Sequence, residues 1–190
     1  MNRRTFLQLS TAAAGTPLLA DAPIPRRRLG KTGLDAAILA LGGFHMAASQ
    51  SDEDAVKMIH RAIDLGINFL DCASKYHDGR SEEVYGKALT DGRRQKILLM
   101  TKAQLRDRDG AMKQLEDSLR RMRTDYLDLW QCHEVSRLDE VERIFGPNGS
   151  LEAFVKAKQQ GKVRHIGFTG HHDPQVHRSE ERRVGKECRL

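Results

Sequence analysis

Four side chains could do chemistry together: Asp71, Tyr76, Lys102 and His133. The stretch GINFLDCASKY, residues 66–76, runs apolar and then ends in Asp71, with Tyr76 five residues on in a loop. Lys102 and His133 likewise follow apolar runs, ILLMT and YLDLWQC. A phenol titrates near 10, too high for efficient acid catalysis at neutral pH. A neighbouring ammonium stabilises the phenolate, and a carboxylate paired with that ammonium fixes it in place and keeps it charged. A neutral imidazole can hold a substrate oxygen by a hydrogen bond. Such a set suits proton donation to a carbonyl oxygen while hydride arrives at carbon. Taken singly, an Asp–Lys pair at strand ends is a structural ion pair, and a strand-end histidine is a bonded core residue. The four together, at one end of one sheet, point to a site.

The elements around them alternate. RRLGKTGLD, ending at Asp35, has a Gly-punctuated turn and predicts a small hairpin. Apolar runs predict strands at 36–41, 67–71, 97–101, 126–132 and 163–169. Between them, helical spacing appears at Ala55, Ile59, Ala62 and Ile63, at Val84, Tyr85, Ala88 and Leu89, and at Met112, Leu115, Leu119 and Met122. Ser51, Ser81 and Ser150 are expected as N-caps. Residues 139–145 predict a further helical turn, ended by GPNG. Five strands alternating with helices call for parallel βαβ units, in an open doubly wound sheet or part of a barrel. No G-x-G-x-x-G opens the first helix. The polar residues His45, Asp71, Lys102, His133 and His171 gather at strand carboxyl ends, where barrels place their chemistry. The expected fold is α/β, an incomplete (β/α)8 barrel with about five of its eight strands and a small N-terminal hairpin.

Length and composition fit one soluble globular domain. The net charge of +6 is shared with both ends of the chain. Arg26–Arg28 has no interleaved aromatic and no adjoining binding motif, so it reads as a solvated edge and no nucleic-acid partner is expected. Residues 1–22, with Arg3-Arg4, a weakly apolar stretch and Ala20-Asp21-Ala22, resemble a Tat-type export signal. Export of the folded protein by the Tat machinery to the periplasm is expected, or a cytoplasmic location where the signal is unused. The stretch is too short and polar to be a permanent membrane span. The run Arg178–Cys188, RSEERRVGKEC, equals the translation of a common sequencing adapter. Residues 178–190 are therefore expected to be a non-native tail, the gene product being cut near His177, and residues 23–177 to be a truncated domain. Cys72, Cys132 and Cys188 show no C-x-x-C spacing, so no disulfide or thiolate metal site is expected.

RRLGKTGL, GINFLDCASKYHDGRSEEVYGKAL, ILLMTK, YLDLWQCH and GKVRHIGFTG, in this order through residues 27–170, resemble the aldo/keto reductase family. The resemblance implies a (β/α)8 barrel that reduces small aldehydes and ketones with NADPH or NADH, usually without metal. It implies Tyr76 as proton donor, Lys102 and Asp71 as the residues that tune it, and His133 as the residue that orients the carbonyl. The family commonly carries Ser-Asn after strand five, touching the nicotinamide. Here Thr169 and Gly170 stand in those positions, and only Thr169 keeps a hydroxyl. The 190-residue chain alone is expected to be inactive. A second reading is a cofactor-sensing or regulatory barrel without turnover.

His171-His172-Asp173, with His45, Asp71 and His133, raises a metal hydrolase, but GGFHM lacks the H-x-H of such barrels, so no metal is expected. His171 reads as a mouth or surface residue. Alternation along the strands turns Cys72, Cys132 and Trp130 toward the helix layer, as packing residues. Asp128, inside a strand, has no partner that the sequence identifies.

Overall fold

The structure, a computed structural model, describes residues 23–49 and 51–179. The expected export signal lies outside these residues, as does the expected tail from 180 onward, including Cys188. Strands β1 (Arg26–Arg28) and β2 (Asp35–Ala37) form an antiparallel hairpin. The barrel elements follow as β3 (Leu41–Gly42), α1 (Asp52–Asp64), β4 (Phe69–Asp71), α2 (Arg80–Ala88), β5 (Leu98–Ala103), α3 (Arg108–Met122), β6 (Leu127–Cys132), α4 (Leu138–Phe145), α5 (Ser150–Gln159) and β7 (Val163–Phe168). The five strands β3 to β7 lie side by side in chain order, every pair parallel. This is the expected partial barrel: each crossover, of one helix or, between β6 and β7, of two, delivers the next strand beside the last.

The run 36–41, expected as one strand, is split. Ala36 and Ala37 pair in the hairpin, and the first barrel strand begins only at Leu41. Asn68 explains the division. Its side-chain oxygen accepts from the Ala37 N–H at 2.7 Å and its amide donates to the Asp35 carbonyl at 2.9 Å, which ties β2 to the start of β4. Ile38 and Leu39 then cross exposed to the sheet.

Ser51 caps α1 as expected, its hydroxyl accepting from the Asp54 N–H at 3.1 Å. Ser81 and Ser150 do not cap. Gly79 and Gly149 occupy those N-cap positions, and both serines lie buried inside the first turn. The cap of α3 is Asp107, which accepts from the Gly110 N–H at 2.7 Å.

The core lies between sheet and helices. Trp130 is fully buried and stacks on Phe154 of α5, ring centroids 3.7 Å apart. Cys132 Sγ lies 3.7 Å from the Ser150 hydroxyl of α5, and Cys72 is buried near Tyr85 of α2. All three therefore face the helix layer, as alternation requires. Glu82 of α2 is also fully buried there, and burial pushes its carboxyl up. It accepts from the Thr101 hydroxyl at 2.6 Å and from Arg121 at 3.1 Å, so it joins α2, β5 and α3.

Candidate active site

The same alternation sends Asp71, Lys102 and His133 to the other side of the sheet, at the carboxyl ends of β4, β5 and β6. Lys102 is buried, and its ammonium has three partners: the Asp71 carboxylate, the Cys72 carbonyl at 2.7 Å and the Tyr76 hydroxyl at 3.2 Å. An ammonium has three N–H donors, so all are engaged and one is aimed at the phenol. The four residues that spacing alone brought forward thus meet in space. The His133 ring stands edge-on to the Tyr76 ring, centroids 5.8 Å apart.

Tyr76 reaches this place because its loop is tied down. The Ser74 N–H and hydroxyl both donate to the Lys102 carbonyl, at 3.1 and 2.8 Å. The Tyr76 N–H bonds the Ala73 carbonyl at 3.0 Å. His77, Asp78 and Gly79 then take three successive left-handed conformations, with φ of 49°, 54° and 89°, before α2 begins. Such backbone persists in non-glycine residues when surrounding contacts hold it, and it clusters at functional sites. Phe44 packs edge-on against the Tyr76 ring, centroids 5.4 Å apart. Gly43, just before it, gives its N–H to the Asp71 carbonyl at 2.7 Å. A Cβ there would sit 2.8 Å from that same oxygen, so only glycine lets the first loop approach Asp71 so closely.

His133 is buried, and burial first, then the Lys102 charge, lowers its imidazole from 6.5 to about 4. An imidazole so shifted is neutral at pH 7 and keeps one ring N–H to donate. The unfolded chain takes up this proton near pH 6.5 and the folded site only near pH 4. Stability therefore falls as pH drops through that window, by on the order of 3 kcal/mol from this group. Urea unfolding at pH 7 and pH 4.5 should show a smaller loss in His133→Gln than in the unsubstituted chain. Equal losses in the two would contradict the shift.

The remaining sequence candidates sit at the rim. Thr169 follows β7, and its hydroxyl oxygen accepts from the Glu134 N–H at 3.1 Å, so it joins the loop after β6. Gly170 is closed in by packing: a Cβ would meet His177 at 2.1 Å and the Val135 carbonyl at 2.3 Å. His45, His171 and His172 are exposed. Among the described residues no three or more His, Cys, Asp or Glu side chains cluster in a way that could hold a metal ion.

Sequence reasoning missed Arg106 and Glu140, which brace the loop carrying His133, and Gln131, one strand repeat before it. The side-chain oxygen of Gln131 and Nδ1 of His133 are both buried without a partner. A polar residue in the interior phase of a strand was the available signal for Gln131.

A model of the aldo/keto reductase family matches residues 38–184. An uncharacterized oxidoreductase of Bacillus subtilis, YqkF, is 34% identical over 156 residues, which is 76% of this chain and 48% of that protein. Among solved structures, the holo form of an aldo-keto reductase from Bacillus halodurans is similar with a TM-score of 0.73 and 32% identity, over 84% of this chain and 54% of that one. An aldo-keto reductase from Klebsiella pneumoniae, solved in complex with NADPH, is similar with a TM-score of 0.67 and 28% identity, over 79% of this chain and 51% of that one. The chain spans about half the length of these proteins. With a family match over most of its length and a parallel partial barrel around Tyr76, Lys102, Asp71 and His133, this chain belongs to the aldo/keto reductase family.

Proposed function

We propose that the protein to which this chain belongs reduces small aldehydes or ketones to alcohols, with hydride from NADPH or NADH and the proton from Tyr76. One observation carries the reading: the Lys102 ammonium is shared among Asp71, the Cys72 carbonyl and the Tyr76 hydroxyl, with the His133 ring against the same phenol. Family membership and a neighbour solved with NADPH support the cofactor.

The residues present fit a nicotinamide in part. Partnerless buried polar atoms of Gln131 and His133, and the Thr169 hydroxyl after β7, leave hydrogen-bonding capacity near the strand ends, which a carboxamide-bearing ring can use. Thr169 and Gln131 are the side chains that would hold it, while Gly170 contributes close packing alone. The nicotinamide, when bound, supplies the hydride to the carbonyl carbon.

The chain's own residues do the rest. Tyr76 gives its hydroxyl proton to the substrate oxygen as charge develops there. Lys102, already donating to that hydroxyl, stabilises the phenolate left behind. Asp71 and the Cys72 carbonyl keep the ammonium from swinging away. Neutral His133 donates a hydrogen bond to the same oxygen and fixes the carbonyl's direction. The test is consumption of NADPH by the longer protein with an aldehyde, with the alcohol quantified. Alcohol equal to NADPH consumed is expected, and dinucleotide binding without turnover would overturn the reading in favour of a sensing barrel.

By itself the 190-residue chain is proposed to turn over no carbonyl compound, in keeping with its covering about half of its relatives. Export by the Tat route is likewise a proposal, resting on Arg3-Arg4 and the apolar stretch after them. Replacing both arginines by lysine should leave the protein in the cytoplasmic fraction; undiminished appearance in the periplasm would contradict it.

A further inference from the structure

We propose that Arg106 is a positioning residue, which sets the direction of the His133 imidazole by holding the peptide group that follows it. The inference rests on the role given to His133 above. The His133 N–H is fixed to the Ala103 carbonyl at 2.8 Å, as the end of the β5–β6 pairing requires. The next residue, Glu134, is left-handed, with φ of 55°. Few non-glycine residues take that conformation without support. Here the chain leaves the sheet, and Arg106 reaches across from the loop after β5. Its Nη2 donates to the His133 carbonyl at 2.6 Å.

Arg106 is itself braced. Its Nε and Nη2 donate to Oε1 of Glu140 at 3.3 and 3.0 Å. The other oxygen of Glu140 accepts from the N–H groups of Ser136 and Arg137, at 2.9 and 3.2 Å, at the start of α4. The Arg106 carbonyl accepts from the Ser150 N–H at 2.8 Å, which fixes its backbone to α5. Arg106 and Glu140 are both largely buried, with side chains 15% and 19% exposed. A planar guanidinium fork can serve a carbonyl and a carboxylate at once, whereas a lysine ammonium reproduces only a point charge. The sequence Glu140–Arg106–His133 therefore connects the start of α4 to the backbone of the residue that faces the substrate.

Without the fork, the His133 carbonyl loses this donor, and the turn at Glu134 is left to the Thr169 contacts with the Glu134 and Val135 N–H groups and to the Lys75–Glu134 ion pair. The imidazole then loses its fixed, buried direction. The charges that act most on that ring are those of Lys102, Glu134, Lys75 and Asp71. Arg106→Lys keeps the positive charge and loses the fork, so a His133 shift that persists in Arg106→Lys reports geometry rather than a lost neighbouring charge.

The experiment is NMR titration of the His133 ring in Arg106→Ala, with far-UV circular dichroism to establish that the variant is folded. The His133 midpoint should move from about 4 toward 6.5 by at least about one unit. In the longer protein kcat/KM for the carbonyl should fall about 10- to 100-fold while dinucleotide affinity holds. Arg106→Lys should recover only part of both. Should Arg106→Ala not fold, Glu140→Gln, which keeps size and loosens the fork, should give a smaller shift in the same direction. An unmoved His133 midpoint in a folded Arg106→Ala, or in Glu140→Gln where that variant is needed, overturns the proposal. The NMR arm needs no turnover, so a moved midpoint in a protein that reduces no carbonyl would uphold the positioning role and refute the function.

Discussion

Tyr76→Phe is expected to lower carbonyl reduction by the longer protein about 10²- to 10⁴-fold, the range that a positioned general acid contributes. The substitution removes one oxygen and leaves the ring, so the edge-on packing against Phe44 and His133 survives. What is lost is the atom that Lys102 contacts at 3.2 Å. The ammonium keeps Asp71 and the Cys72 carbonyl, so the site should not collapse. The loss should therefore fall on kcat and kcat/KM together, with dinucleotide affinity nearly unchanged, as for an interaction made in the transition state. Steady-state kinetics and a fluorescence binding titration separate these quantities. Unchanged turnover would remove Tyr76 from the role of acid.

The second large effect lies at the opposite end of the strands. Asp128 is 1% exposed and carries a negative charge into the helix-facing side of β6. It accepts from Arg94 at 2.9 Å, from Arg164 at 2.8 Å and from the Leu99 N–H at 3.0 Å. Both guanidiniums also lie over the Tyr126 ring, at 4.0 and 4.3 Å from its centroid. One carboxylate thus joins β5, β6, β7 and the loop before β5. Removing it leaves Arg94, also buried, without its counter-charge. Asp128→Ala should cost about 3–5 kcal/mol of stability, the usual result of breaking one side of a buried pair. The strand ends that carry Asp71, Lys102 and His133 are untouched, so in the longer protein the folded fraction should keep the proposed carbonyl reduction. A loss below about 1 kcal/mol in denaturant unfolding would show that the two arginines find other partners.

These two residues mark what the sequence could and could not disclose. Tyr76, Asp71, Lys102 and His133 were legible because strand period and strand ends are local patterns, and parallel topology brings all such ends to one edge. Asp128 was legible only as an unsatisfied demand: a charge in the helix-facing phase of a buried strand needs a partner. Its partners stand about 35 residues away on either side, with no period linking them. Arg106 was invisible for the same reason, since it acts through a backbone carbonyl 27 positions on. The boundary at 36–41 failed because Asn68, far along the chain, claims the backbone of Asp35 and Ala37 for the hairpin. At Ser81 and Ser150 the expected caps were wrong: glycines hold the N-cap positions without a side-chain cap bond, and both serines are buried inside the first turn, Ser150 against Cys132 of β6.

The central claim is that Tyr76 and His133 address one substrate oxygen, with Lys102 behind the phenol. The most direct measurement is a crystal structure of the longer protein with its dinucleotide and a carbonyl-bearing inhibitor. The account predicts the carbonyl oxygen within about 2.6–3.2 Å of both the Tyr76 hydroxyl and an imidazole nitrogen of His133, with Lys102 still donating to the phenol. A carbonyl bound away from Tyr76, or a phenol turned off Lys102 in that complex, would contradict it.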